Sequence, residues 1–289
     1  MYAEYYGLKE IPFGLTPDLN YIFRTESYLE VISTLKYGVE HNKGLVVLTG
    51  EVGTGKTTTL RSTIQQFGEE VLPVYIFNPF LTAAEFFQQF IEGLGLGVPQ
   101  AASKPDVLAT LGEFLALRHS EGLRTVLIID EAHGLPSPVL EEIRLLLNFE
   151  TNSEKLLQMI LCGQPELQAI LNRPNLRQLK QRISLRCEIK PLSPFEVGKY
   201  IRFRLKTAGA ERVDLFDSEA TALIGRVSQG IPRVINNICD NALLYGYSAS
   251  LEEINRDCIE EVIESLDLAP TDSATSEPVD FTTRVRSVI

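Results

Sequence analysis

The stretch GEVGTGKTT at residues 50–58 constrains this chain more than any other, because it sets three glycines and one lysine between an apolar run, GLVVLT, and a helix-forming run, TTTLRSTIQQF. Glycine loses more backbone entropy on folding than any other residue, so such a cluster has a use. Gly50, Gly55, Lys56 and Thr57 fit the spacing G-x-x-x-x-G-K-[ST], whose mechanism is a loop that wraps its backbone N–H groups around a polyphosphate. The whole loop (Gly50, Glu51, Val52, Gly53, Thr54, Gly55, Lys56, Thr57 and Thr58) is expected to hold a nucleotide. Lys56 then reaches the outer phosphates, Thr57 offers its hydroxyl to Mg²⁺, and the helix behind them turns its positive N-terminal end toward the same anion.

Four short apolar runs, GLVVLT (44–49), LPVYIF (72–77), TVLIID (125–130) and LLQMILC (156–162), alternate with helical patterns such as AAEFFQQFIEGLG and SPVLEEIRLLLNF. That alternation predicts an α/β fold, a parallel sheet with helices on both faces. From Ser193 onward the strand signals stop. SPFE at 193–196 reads as a capping box with Pro194 at the first helical position, and further helices are expected over about 217–229, 232–247 and 255–267. The expected organisation is an α/β nucleotide-binding domain over 1–192, including an N-terminal linker segment, then a helical lid over 193–268. Residues 269–289 have tail composition, with no fixed structure expected.

Composition bounds the rest. With 289 residues and 44% hydrophobic content the chain can bury a sizeable core. Its four cysteines form no C-x-x-C pair and its three histidines share no ligand spacing, so neither a disulfide framework nor a zinc site is indicated, and a reducing cytoplasm fits. The N-terminus MYAEYYGLKEIPF lacks the apolar core of a signal peptide, and no run approaches the length that crosses a bilayer. A net charge of −11 argues against nucleic acid as a default partner. Residues 173–206 reverse that balance locally, with ten Lys or Arg against two acids. The run reads either as a solvated face or as a contact with a neighbouring subunit's phosphates or with DNA.

TVLIIDEAH puts Asp130 and Glu131 at the carboxyl end of a buried strand, where open α/β sheets place their ligands. Asp130 is expected to hold Mg²⁺. Glu131, one residue on, is free to orient and polarise an attacking water, a role that a hydrolase has and a simple binder lacks.

Together, GEVGTGKTT, LIIDEAH, LCGQPEL, LRQLKQRI and GIPRVINNICDNAL occur in the order found in AAA+ ATPases, and YYGLKEIPFGLTPD resembles the ExeA-type ATPases of the general secretion pathway. The resemblance spans about residues 1–268. It implies a P-loop AAA+ sheet domain with a helical lid, ATP and Mg²⁺ as ligands, hydrolysis to ADP and phosphate, and assembly of the chain with itself into a ring or filament. Secretion-pathway members continue into a membrane span and a peptidoglycan-binding domain, and this sequence ends in a polar tail. Envelope anchoring is therefore not carried over, and soluble relatives include regulators of DNA transposition.

The resemblance also implies that Gln164 senses the γ-phosphate and that Arg182 is the arginine finger sent into the next subunit's site, with Arg177 and Arg186 as rivals. A planar, permanently charged guanidinium suits that work. Arg233 has a separate physical argument: Gly230 and Pro232 start a helix, and an arginine at its positive end needs an anion nearby, which the γ-phosphate supplies. Phe13 and Pro17 either cover the adenine or pack a core edge. The expected function is an ATPase cycle serving a cytoplasmic step of secretion or envelope assembly. An ATP-switched DNA-binding regulator of transposition is the alternative, and a slow signalling switch a third reading.

Overall fold

The computed structural model describes residues 1–77, 80–97 and 103–268; the tail from 269 lies outside the described residues. In chain order the elements are α1 (Tyr2–Tyr5), α2 (Glu26–Glu40), β1 (Leu45–Gly50), α3 (Lys56–Gln65), β2 (Val71–Ile76), α4 (Ala83–Gly93), α5 (Lys104–Ser120), β3 (Arg124–Ile129), α6 (Ser137–Leu146), β4 (Gln158–Gly163), α7 (Glu166–Leu171), α8 (Arg177–Lys180), β5 (Ile183–Ile189), α9 (Pro194–Thr207), α10 (Ser218–Ser228), α11 (Pro232–Ser248) and α12 (Arg256–Ser265).

The five strands form one parallel sheet in the order β2-β3-β4-β1-β5. Successive side chains of a strand point to opposite faces, and both faces of β1 are buried. Leu45 and Val47 join Val74, Phe86 and Leu127 in one core, while Val46 and Leu48 join Leu60, Val126 and Ile128 in the other. A sheet covered on both sides explains the continuously apolar strands read from the sequence.

After β5 the described residues contain only helices and one isolated bridge, Phe216 to Ile254. The capping box forms: the Ser193 backbone N–H and hydroxyl both donate to the Glu196 carboxylate, at 2.8 and 2.7 Å. Helices α9 to α12 enclose a third core, which contains Leu205, Ile224, Ile238 and Ile259. Tyr6, Leu8, Phe13 and Tyr21 of the N-terminal segment belong to this core as well, although they precede the sheet in the chain. Hydrogen bonds fasten the same segment: the Tyr2 hydroxyl donates to Asp240 and the Tyr6 hydroxyl to the Leu251 carbonyl.

Gly230 turns the chain into α11 at φ +74°, a left-handed conformation, and a Cβ there would lie 1.9 Å from the Leu192 carbonyl oxygen. Its own carbonyl accepts from Leu192 N–H at 2.8 Å, so the entry to α9 and the entry to α11 are tied back to back. Helix α5 carries no clear sequence signal, because its apolar residues lie all around it: Leu111 and Leu115 are buried while Leu117 is exposed.

Candidate functional site

Because β3, β4 and β1 are neighbours in a parallel sheet, their carboxyl ends come out side by side. Ile129 of β3 pairs with Leu161 of β4, and Thr49 of β1 with Gly163 of β4. The residues just beyond these ends, Asp130 and Glu131, Gln164, and the glycine loop, therefore meet at one edge of the sheet, where open α/β folds bind ligands.

The loop closes tightly onto its own lysine. The Lys56 ammonium, 5% exposed, donates to the carbonyls of Gly50 at 2.9 Å and Glu51 at 3.1 Å. Lys56, Thr57 and Thr58 are the first residues of α3, so their N–H groups have no acceptor inside the helix. Gly53 sits at φ +81°, and a Cβ there would come within 2.7 Å of the Arg233 Cβ. The lid thus touches the loop, and Arg233 N–H donates to the Gly53 carbonyl at 3.2 Å.

Asp130 is 4% exposed, and all its partners are hydrogen-bond donors. Its Oδ2 accepts from Thr57 Oγ1 at 2.7 Å and from the Tyr75 hydroxyl at 2.8 Å, and its Oδ1 accepts from Glu131 N–H at 2.9 Å. Burial, then the Asp130 charge, raises the Tyr75 phenol above its ordinary pKa, so it stays a donor across the physiological range. The same causes in the same order raise the Cys162 thiol, which stays neutral and unreactive. Thr57 and Asp130 are two hard oxygen ligands at contact distance, a set that suits Mg²⁺ completed by phosphate oxygens and water. Among the described residues no group of three or more His, Cys, Asp or Glu is placed to hold a metal without such help.

Glu131 departs from regular backbone at φ +51°, ψ +33°, the left-handed region, where a non-glycine residue costs about 1–3 kcal/mol. The kink separates the two acids. Asp130 stays under the sheet edge, while the Glu131 side chain is 44% exposed, with Oε2 at 3.4 Å from His133 Nδ1. The same ring nitrogen lies 3.4 Å from the Gln164 N–H. Glu131, Gln164, Arg233 and loop residues 52–58 line a single cleft of about 420 Å³.

The cleft's far wall comes from the N-terminal segment and the lid: Gly14, Pro17, Tyr21, Tyr200, Arg204 and Asn236. Of the two residues offered for the adenine, Pro17 faces the cleft. Phe13, 1% exposed, packs edge-on against Phe216 in the lid core.

Arg182 is remote from its own cleft. It precedes Ile183, which pairs with Leu45 at the amino end of β1, so the length of β1, roughly 17 Å at about 3.3 Å per residue, separates it from the loop. Its Nη1 donates to the Leu147 carbonyl at 3.2 Å. Arg177 and Arg186 are exposed on α8 and β5. The basic run is not one surface: it is divided among α8, β5 and α9, and Arg204 is 7% exposed.

Sequence reasoning passed over Tyr75, which stands in an otherwise apolar run where a phenol beside a strand's carboxyl end was the only signal. It also missed His133 and Asn236, and it counted Arg204 merely as one of ten charges. Each of these three residues has a partner 31 to 192 positions away, which no short stretch of sequence displays.

A family model described as an AAA domain matches residues 39–171. General secretion pathway protein A of Aeromonas hydrophila is 41% identical over 254 residues, covering 88% of this chain and 46% of that protein, so the chain spans under half of its length. Among solved structures, Cdc6p from Pyrobaculum aerophilum superposes with a TM-score of 0.66 at 18% identity, covering 88% of this chain and 70% of that one. A Drosophila ORC structure, bound to DNA, gives 0.63 at 18% identity, covering 89% and 66%. The Thermotoga maritima RuvB Holliday junction branch migration motor gives 0.57 at 18% identity, covering 88% and 73%. At such identities the likeness to solved structures speaks for the fold alone. Among the described residues no helix is long and apolar enough to cross a membrane.

Proposed function

Since this chain belongs to the AAA+ ATPases, we propose that it binds Mg·ATP in the cleft, hydrolyses it to ADP and phosphate, and uses the cycle to drive a conformational or assembly step of a secretion apparatus. The observation that carries the reading is the contact of Thr57 Oγ1 with Asp130 Oδ2 at 2.7 Å, which joins the phosphate loop to the end of β3 with Glu131 beside it on the open side. The relative that is 41% identical supports the secretion step.

In this mechanism the loop amides and the N-terminus of α3 hold the phosphates, and Lys56 exchanges the Gly50 and Glu51 carbonyls for the outer phosphate oxygens. Thr57 and Asp130 hold Mg²⁺, which when bound neutralises charge on the phosphates. Glu131 positions the attacking water and accepts its proton while Gln164 orients it at the γ-phosphate. Arg233 reaches the same phosphate from the lid. Arg182, too far away to serve its own site, acts on a neighbouring subunit's ATP, as a permanently charged planar group suits.

Two measurements test this. Mg·ATP at a hundredfold excess over its dissociation constant stabilises a folded state that alone binds it by about 2.7 kcal/mol, so the melting temperature rises, and Lys56→Ala abolishes the rise. A wild-type chain that melts at one temperature with and without Mg·ATP would sink the reading. For Arg182, activity per subunit rises with protein concentration, Arg182→Ala loses that rise, and mixing Arg182→Ala with Glu131→Gln subunits restores some turnover. Mixtures inactive at every ratio count against a finger from this position.

A further inference from the structure

Arg204 is a buried guanidinium that the catalytic scheme does not use. Among the described residues no carboxylate lies in ion-pair range of it, and a buried charge without such a partner persists only if its donors are otherwise satisfied. They are satisfied in an unusual direction. Nε donates to the Pro12 carbonyl and Nη2 to the Gly14 carbonyl at 3.4 Å, while Nη1 donates to the Tyr200 hydroxyl at 2.9 Å. The guanidinium carbon sits 4.6 Å from the centre of the Tyr21 ring. Two backbone carbonyls and one aromatic face of the N-terminal segment are thus held by one side chain of α9.

The network continues across the lid. The Asn236 amide is oriented by its neighbours, because the opposite orientation would set its nitrogen against Arg204 Nη1, donor to donor. Its oxygen accepts from Nη1 at 2.9 Å, and its nitrogen donates to the Tyr200 hydroxyl at 2.8 Å and to the Pro232 carbonyl at 3.3 Å. Pro232 immediately precedes Arg233, whose N–H is bonded to Gly53. Gly14, Arg204, Asn236, Pro232 and Arg233 all line the nucleotide cleft.

We propose that Arg204 is a positioning residue that fastens the segment around Gly14 to the lid and, through Asn236 and Pro232, to the turn bearing Arg233, so that the cleft's far wall and its phosphate-side arginine close on the nucleotide as one body. The inference rests on the ATP reading of the cleft. A charge held by carbonyls of a separate segment is a geometric tie, and Lys in its place keeps the charge but loses the planar fork that reaches four acceptors at once.

The test is a double-mutant cycle on the full chain, read as ATP affinity and as kcat against KM. Arg204→Met is expected to weaken ATP affinity about tenfold while kcat at saturating ATP changes far less, and Arg233→Ala is expected to cost about tenfold less in the Arg204→Met background than in the wild type, since coupled groups are not additive. Exposed Arg202 on the same helix serves as control, and Arg202→Ala leaves affinity unchanged. The chain has no tryptophan, so Leu15→Trp supplies a lone reporter on the fastened segment. Mg·ATP should shift its emission with Arg204 present and leave it unmoved with Met. If Arg204→Met melts far below the wild type without nucleotide, the same cycle with Arg204→Lys decides the matter, with the same loss of coupling expected. Strictly additive Arg204 and Arg233 effects, or an unaltered reporter response, overturn the proposal even when wild-type ATP binding is intact. Absence of wild-type binding overturns the ATP reading itself.

Discussion

Val52 to Thr57 reach the cleft as one contiguous run from the turn after β1 into the start of α3, whereas on the opposite wall Arg204 meets Pro12 and Gly14, partners 192 and 190 positions away in the chain. On the sheet side the polar groups are held by the local path of the chain: a strand end, a turn, a helix start. On the lid side they are held by packing among helices and a segment from the far terminus, and no short stretch of chain contains the arrangement. The difference teaches that a motif reports only those site residues whose geometry is local.

That contrast can be broken by substitution, and the largest effect belongs to the sheet side. Glu131→Gln keeps size and hydrogen bonding but removes the proposed base, so steady-state hydrolysis should fall about 10² to 10⁴-fold with ATP binding retained. Wild-type turnover in this variant would leave Glu131 as a mere turn residue and give the water to another group.

Phe13→Ala and Phe86→Ala sharpen the comparison through stability. Both rings are essentially inaccessible, one in the lid core and one in a sheet core, and each truncation should cost about 3–5 kcal/mol in denaturant unfolding. They should differ in ATP affinity, which Phe13→Ala weakens because Gly14 and Pro17 line the cleft next to it, and which Phe86→Ala leaves alone. Equal affinities in the two variants would mean that the N-terminal segment is only a core element.

The smallest of these effects falls on the join between the walls. Gly230→Ala sets a Cβ against the Leu192 carbonyl in a left-handed conformation, a strain of about 1–3 kcal/mol that should lower the melting temperature and raise the KM for ATP. A variant that melts and binds as the wild type does would show that the α9 and α11 entries shift freely.

By itself the sequence determined the strand and helix alternation, the capping box at Ser193 and Glu196, the phosphate loop and the acid pair at 130 and 131, because each of these is written in spacings of four residues or fewer, or in runs of a single period. Only the tertiary structure decided that β4 lies between β1 and β3, and so brings Gln164 to the loop and Asp130, since strand order is set by how helices cover the two faces and leaves no periodic trace. The structure likewise decided that Arg204 is buried rather than part of a basic surface, and that Phe13 and Tyr21 belong to the lid core. An isolated arginine or tyrosine has the same sequence appearance on a surface and in a core. Which one it occupies depends on partners that the chain brings near only when it is folded.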